Sequence, residues 1–78
     1  MVSLARIRNI EIRMFAGLPV GPHSEPPIWM ELFDHDQQIT VDSCICHEIE
    51  DTLTVFEDFT GQANRAAEAV RQDNRLQD

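Results

Sequence analysis

Cys44-Ile45-Cys46-His47 is the one local cluster in this sequence whose residue types suit a soft metal or thiol chemistry. On a strand, residues two apart share a face, so both thiols would sit together. A tetrahedral zinc site needs four ligands, and the remaining candidates are His35, Asp34 and Asp36. These belong to a turn expected at the far end of the strand that carries the thiols, which works against convergence. The paired Cys-x2-Cys spacing is also missing. The expected fate of Cys44 and Cys46 is therefore that of buried, reduced thiols, with Cys44, Cys46 and His47 only weak metal candidates and no cofactor required. A bridge between the two is disfavoured, because neighbours on one strand face are poorly placed for disulfide geometry.

Other chemistry is thinner. Asp34-His35-Asp36 has the opening spacing of a calcium loop but lacks the turn glycine and the closing bidentate Glu, and reads as a polar turn. His23, His35 and His47 are the groups closest to neutral pH, yet nothing gathers them. There is no Gly-x-Ser-x-Gly elbow. The chain is expected not to be an enzyme.

The elements that must carry these residues follow from periodicity. Residues 9–15 alternate, with Ile10, Ile12 and Met14 opposed to Asn9, Glu11 and Arg13, a strand pattern. All four prolines and two of the three glycines then fall within 17–27, a loop. It is either a plain linker or an extended ligand for a partner's groove. Residues 28–46 read as a hairpin turning near His35 and Asp36, its second strand placing Ile39, Val41 and Ile45 on one face.

From 48 to 74 the period changes. Ile49, Leu53, Phe56, Thr60, Ala63, Ala67, Val70 and Asn74 recur at spacings of four and three, one stripe of a helix. Gly61 is its weak point, but the stripe keeps its phase through it, which favours one long helix over two breaking at Thr60-Gly61. Acids in the first turn and Arg71 and Arg75 near the end suit the two poles of the helix dipole. The expected fold is α+β, one domain over 1–78, a small three-stranded antiparallel sheet in β-β-β-α order packed by one long C-terminal helix.

Charge is distributed unevenly over the 78 residues. Six Arg and no Lys face 14 acids, a net of −8. Residues 14–64 hold ten of those acids and no base, whereas residues 1–13 carry three Arg against one Glu. Direct binding to a phosphate backbone is disfavoured, since that needs clustered cations. No apolar run approaches the length of a membrane span, and no leader pattern is visible, so a cytoplasmic location is expected. Glu48, Glu50, Asp51, Glu57 and Asp58 form an acidic face suited to a basic protein partner.

One helix covers one face of a sheet, and an antiparallel sheet usually keeps the other polar. If Ile28, Met30 and Leu32 pack under the helix, Trp29 and Phe33 point away from it, and the same choice puts Cys44 and Cys46 on that outer face. An apolar patch of this kind marks an interface, unless the proline loop or a chain end folds over it. The leading expectation is a small, acidic, non-catalytic homodimer acting by protein–protein contact through Trp29, Phe33, Cys44 and Cys46, with edge-strand pairing as another route to the dimer. The alternatives are an acidic inhibitor or mimic of nucleic-acid charge, and a metal- or thiol-dependent protein using Cys44, Cys46 and His47.

Overall fold

The chain folds as four strands followed by one helix, the alternation of apolar residues being clearest in β2 (Ile10–Ala16) and a 3.6-residue period marking the helix. A computed structural model describes residues 1–17, 21 and 26–76, with side chains as far as Ala69. The order is β1 (Val2–Ile7), β2 (Ile10–Ala16), β3 (Ile28–Asp34), β4 (Ile39–Cys46) and α1 (Ile49–Leu76). The strands form one antiparallel sheet in the order β1-β2-β3-β4. The α+β class agrees with the sequence reading, but the sheet has four strands rather than three. The expected proline loop falls mostly on residues 18–20 and 22–25, outside those described.

The additional strand is β1. It pairs with β2 from Val2 opposite Met14 to Ile7 opposite Ile10, and Leu4 is an extra residue between Ser3 and Ala5. Arg8 and Asn9 close this hairpin, with Arg8 at φ 56°. That is an uncommon conformation for a residue bearing a Cβ, and no Asn-Gly or Asp-Gly pair announces it. The turn is held from outside. His35 donates its backbone N–H to the Asn9 carbonyl at 2.8 Å, and Asn9 Nδ2 donates to Asp34 Oδ1 at 2.8 Å.

Between β2 and β3 the ladder continues one step beyond Ala16 opposite Ile28, with the Gly17 N–H donating to the Pro27 carbonyl at 2.7 Å. A Cβ on Gly17 would stand 2.9 Å from Pro27 Cγ, so this close approach requires glycine.

The core lies between the sheet and α1. Ile10 and Ile12 from β2, Met30 and Leu32 from β3 and Cys46 from β4 meet Phe59 and Ala63 from α1. A second irregularity sets which residues of β4 reach it. Leu32 stands opposite Asp42 and Phe33 opposite Thr40, so Val41 is an extra residue that shifts the alternation. Cys44 therefore stands opposite Met30 and Cys46 opposite Ile28, both on the helix side, and Ile45 stands opposite Trp29 on the other. This corrects the sequence expectation for all three. The bulge reverses their parity, and no simple period-two count across β4 registers it.

Two residues, His47 and Glu48, reverse the chain into α1. The helix is continuous through Gly61 and ends two residues later than expected. Its first 18 residues run the length of the sheet, from Ile49 beside Ala16 and Ile28 to Ala66 beside Asp34 and Gln37. The remaining ten, 67–76, extend about 15 Å further at 1.5 Å per residue. The buried line on α1 centres on Phe59 and Ala63. Ile49 and Leu53, expected in the covered stripe, stay 72% and 66% exposed. No helix of the described residues is long and apolar enough to cross a membrane.

Candidate functional site

The sheet face opposite α1 is uncovered by any described element, and the register arranges it in rows. Phe15, Trp29 and Ile45 stand side by side on β2, β3 and β4. The next row is Arg13, Glu31 and Ser43, with Ser3 of β1 beside Arg13. The third is Glu11, Phe33 and Thr40, with Arg6 beside Glu11. Trp29 is 40% exposed, and Phe15 and Phe33 are half-buried by their neighbours.

Glu11 is the centre of the polar part. Its Oε1 accepts from Arg13 Nε at 2.7 Å and lies 3.0 Å from His35 Nε2, while its Oε2 accepts from Ser3 Oγ at 2.6 Å. The Ser3 hydroxyl, then the Arg13 guanidinium and the His35 ring, stabilise the charged form and lower its pKa from 4.5 to about 2. Such a carboxylate is a poor proton acceptor near neutral pH. It orders its surroundings instead. Arg13 is held over the Phe33 ring, its Cζ 4.0 Å from the centroid, and the His35 ring meets Phe33 edge-on at 5.0 Å. Thr40 Oγ1 donates to Glu31 Oε1 at 3.0 Å, and Arg13 Nη1 lies 3.8 Å from that same oxygen. The arrangement is a hydrogen-bonded surface with an apolar row, Phe15, Trp29 and Ile45, along one side and paired cations and acids along the other.

Of the interface residues expected from sequence, Trp29 and Phe33 are on this face. Cys44 and Cys46 are on the opposite one. Cys46 is 2% exposed, and burial first, then the neighbouring Cys44, pushes its thiol pKa up. That disfavours the thiolate that metal binding and nucleophilic attack require. His47 is exposed at the strand–helix junction, and His35 is at the other end of β4, bonded to Glu11. Among the described residues no three of His, Cys, Asp and Glu gather as metal donors. Asp34 is occupied structurally. Its Oδ1 accepts from Asn9 Nδ2 and from the backbone N–H groups of Asp36 and Gln37, which lowers its pKa and builds the turn.

The acidic residues Glu48, Glu50, Asp51, Glu57 and Asp58 are all exposed, and none forms an ion pair with another described residue. Sequence reasoning missed the Glu11–Arg13–His35 cluster. The signal available was the polar side of the second strand, Glu11 and Arg13 two apart, but His35 and Glu31 reach it only through the pairing of β2 with β3. The chain matches no protein-family model, no curated protein and no solved structure.

Proposed function

We propose that this chain is a non-catalytic protein that works by protein–protein contact, with the open sheet face as its contact surface, and that it functions as a homodimer. The observation that carries the reading is the row of Phe15, Trp29 and Ile45 left open beside an ordered set of polar side chains. Trp and Arg are the residue types that dominate binding energy at interfaces. Hydrogen bonds already hold Arg13, Glu11 and Glu31, so docking would cost little further side-chain entropy. Charge supports it as well. In a chain of −8, this face sets Arg6 and Arg13 against Glu11 and Glu31, so these four side chains add no net charge to it.

The test uses Trp29→Ser, which removes an exposed anchor without opening the core. With an unchanged far-ultraviolet circular dichroism spectrum, the variant should lose the wild-type chain's association with a co-purified, unlike protein. Undiminished capture of that protein refutes the sheet-face reading.

A second reading, an inhibitor presenting Glu48, Glu50, Asp51, Glu57 and Asp58 to a basic protein site, draws support from the exposure of all five. Its contact would weaken steeply with added salt, since exposed charges are screened over about 10 Å at 0.1 M.

A further inference from the structure

A single helix is about 10 Å across. Four strands about 4.8 Å apart make a sheet roughly 19 Å wide, so α1 covers the inner face incompletely. Thr54, Val55 and Asp58 flank it on the β4 side, beside Asp42 and Cys44. On the other side Ile49 lines an apolar hollow with Met14, Ala16, Pro26 and Ile28; Leu53, one turn further along α1, and Val2 at the start of β1 are both exposed. An apolar trough is left there, and no second helix among the described residues fills it.

The sequence of α1 describes what would fit. The 4-3 spacing from Ile49 to Asn74 is a heptad seam sustained for nearly four repeats, but the sheet engages a line centred on Phe59 and Ala63 and leaves the start of the seam open. At the other end, residues 67–76 continue beyond the sheet, with none of the four described strands beneath them. Charge gives the direction. Residues 48–58 carry five acids and no base, whereas 65–76 carry Arg65, Arg71 and Arg75 against Glu68 and Asp73. Two parallel helices would set one acidic half against the other. Antiparallel helices set each acidic half against the half of net +1.

We infer that a second copy of this chain docks in the trough with its helix antiparallel, so that segment 67–76 of each copy lies beside Ile49 and Leu53 of the other. The inference rests on the homodimer reading and gives the second copy a place other than the sheet face. The aromatic row then stays free for an unlike partner.

Light scattering at high micromolar concentration should give twice 8.9 kDa for the wild-type chain. Leu53→Glu should weaken the dimer at least about a hundredfold, because two leucines per dimer lose a water-excluded contact, and its circular dichroism should not change because Leu53 is exposed. Trp29→Ser should remain dimeric, and the emission of Trp29, the single tryptophan, should not shift on dilution. Arg71→Glu with Arg75→Glu should weaken association further at low salt than at high salt. A wild-type monomer overturns both this inference and the homodimer, while leaving the sheet-face contact to its own variant. A dimer that survives Leu53→Glu but is lost with Trp29→Ser overturns the helix inference alone. A dimer indifferent to the double arginine reversal overturns the antiparallel arrangement.

Discussion

Gly61 tests the continuity of α1, on which the reach of segment 67–76 depends. It sits mid-helix at a helical φ, since no glycine of the described residues has a positive φ. Glycine in such a position costs about 0.5–1 kcal/mol relative to alanine, through the backbone freedom it loses on folding. The added methyl has room. A Cβ at position 61 would lie 3.2 Å from Arg65 Nη1, the far end of a flexible, exposed side chain, and, its chain neighbours and the helix's own backbone aside, no other residue stands closer than 4 Å. Gly61→Ala should therefore stabilise the protein by nearly the full helical difference. For a domain of this size that raises the thermal midpoint by about 2–8 °C, measured at one protein concentration so that association does not contribute. Gly61→Pro should do the opposite by about 3 kcal/mol or more, by removing a helical N–H and clashing with the preceding turn. Were the helix broken at Thr60-Gly61, the glycine would be ending a helix and alanine would be neutral or harmful. A midpoint for Gly61→Ala at or below wild type refutes the continuous helix.

Other consequences are separately measurable. Phe59, 2% exposed, joins α1 to the sheet, and Phe59→Ala should cost about 3–5 kcal/mol in urea unfolding, out of roughly 4–12 kcal/mol expected for a chain this long; a loss under about 1 kcal/mol would contradict the docking of the helix. Glu11, with its folded pKa about 2 against 4.5 unfolded, contributes stability that is complete above about pH 4.5 and lost as pH falls toward 2. Glu11→Gln should flatten the stability profile in that window relative to wild type, and an unchanged slope would show that its hydrogen bonds do not form in solution. A water-soluble thiol reagent should modify Cys44 well before Cys46, whose thiol is buried and raised in pKa; equal rates would place Cys46 at the surface.

Strand and helix types were legible wherever one period ran unbroken. The alternation of Ile10, Ile12 and Met14 and the polar punctuation after Asp34 correspond to β2 and the β3–β4 turn, and the charges at the two ends of α1 agree with its span. β1 was missed because Val2–Ile7 mixes Ser, Ala and Arg with its aliphatics, an extra residue at Leu4 breaks its alternation, and its turn places an arginine at positive φ. The cysteine face was misread for a related reason. One extra residue, Val41, is invisible to a period-two count but reverses the side on which everything after it lies. The polar cluster on the open face combines residues 24 apart in sequence, Glu11 and His35, and long-range pairing of that kind leaves no local mark. Helix periodicity located a stripe but could not say which half of it the sheet would cover.

The closure of Gly17 on Pro27 has a practical consequence for engineering. Because the N–H to carbonyl bond and the glycine-dependent approach pin both ends of the connection, the register of β2 against β3 is set before the chain leaves the sheet. Peptide grafted between those two residues would enter at a clamped base, and doubling the length of such a connection costs only about 0.6 kcal/mol in closure entropy. The clamp makes this point a natural site for inserting an epitope, a tag or a binding loop while the four-stranded sheet and its open aromatic row are kept intact.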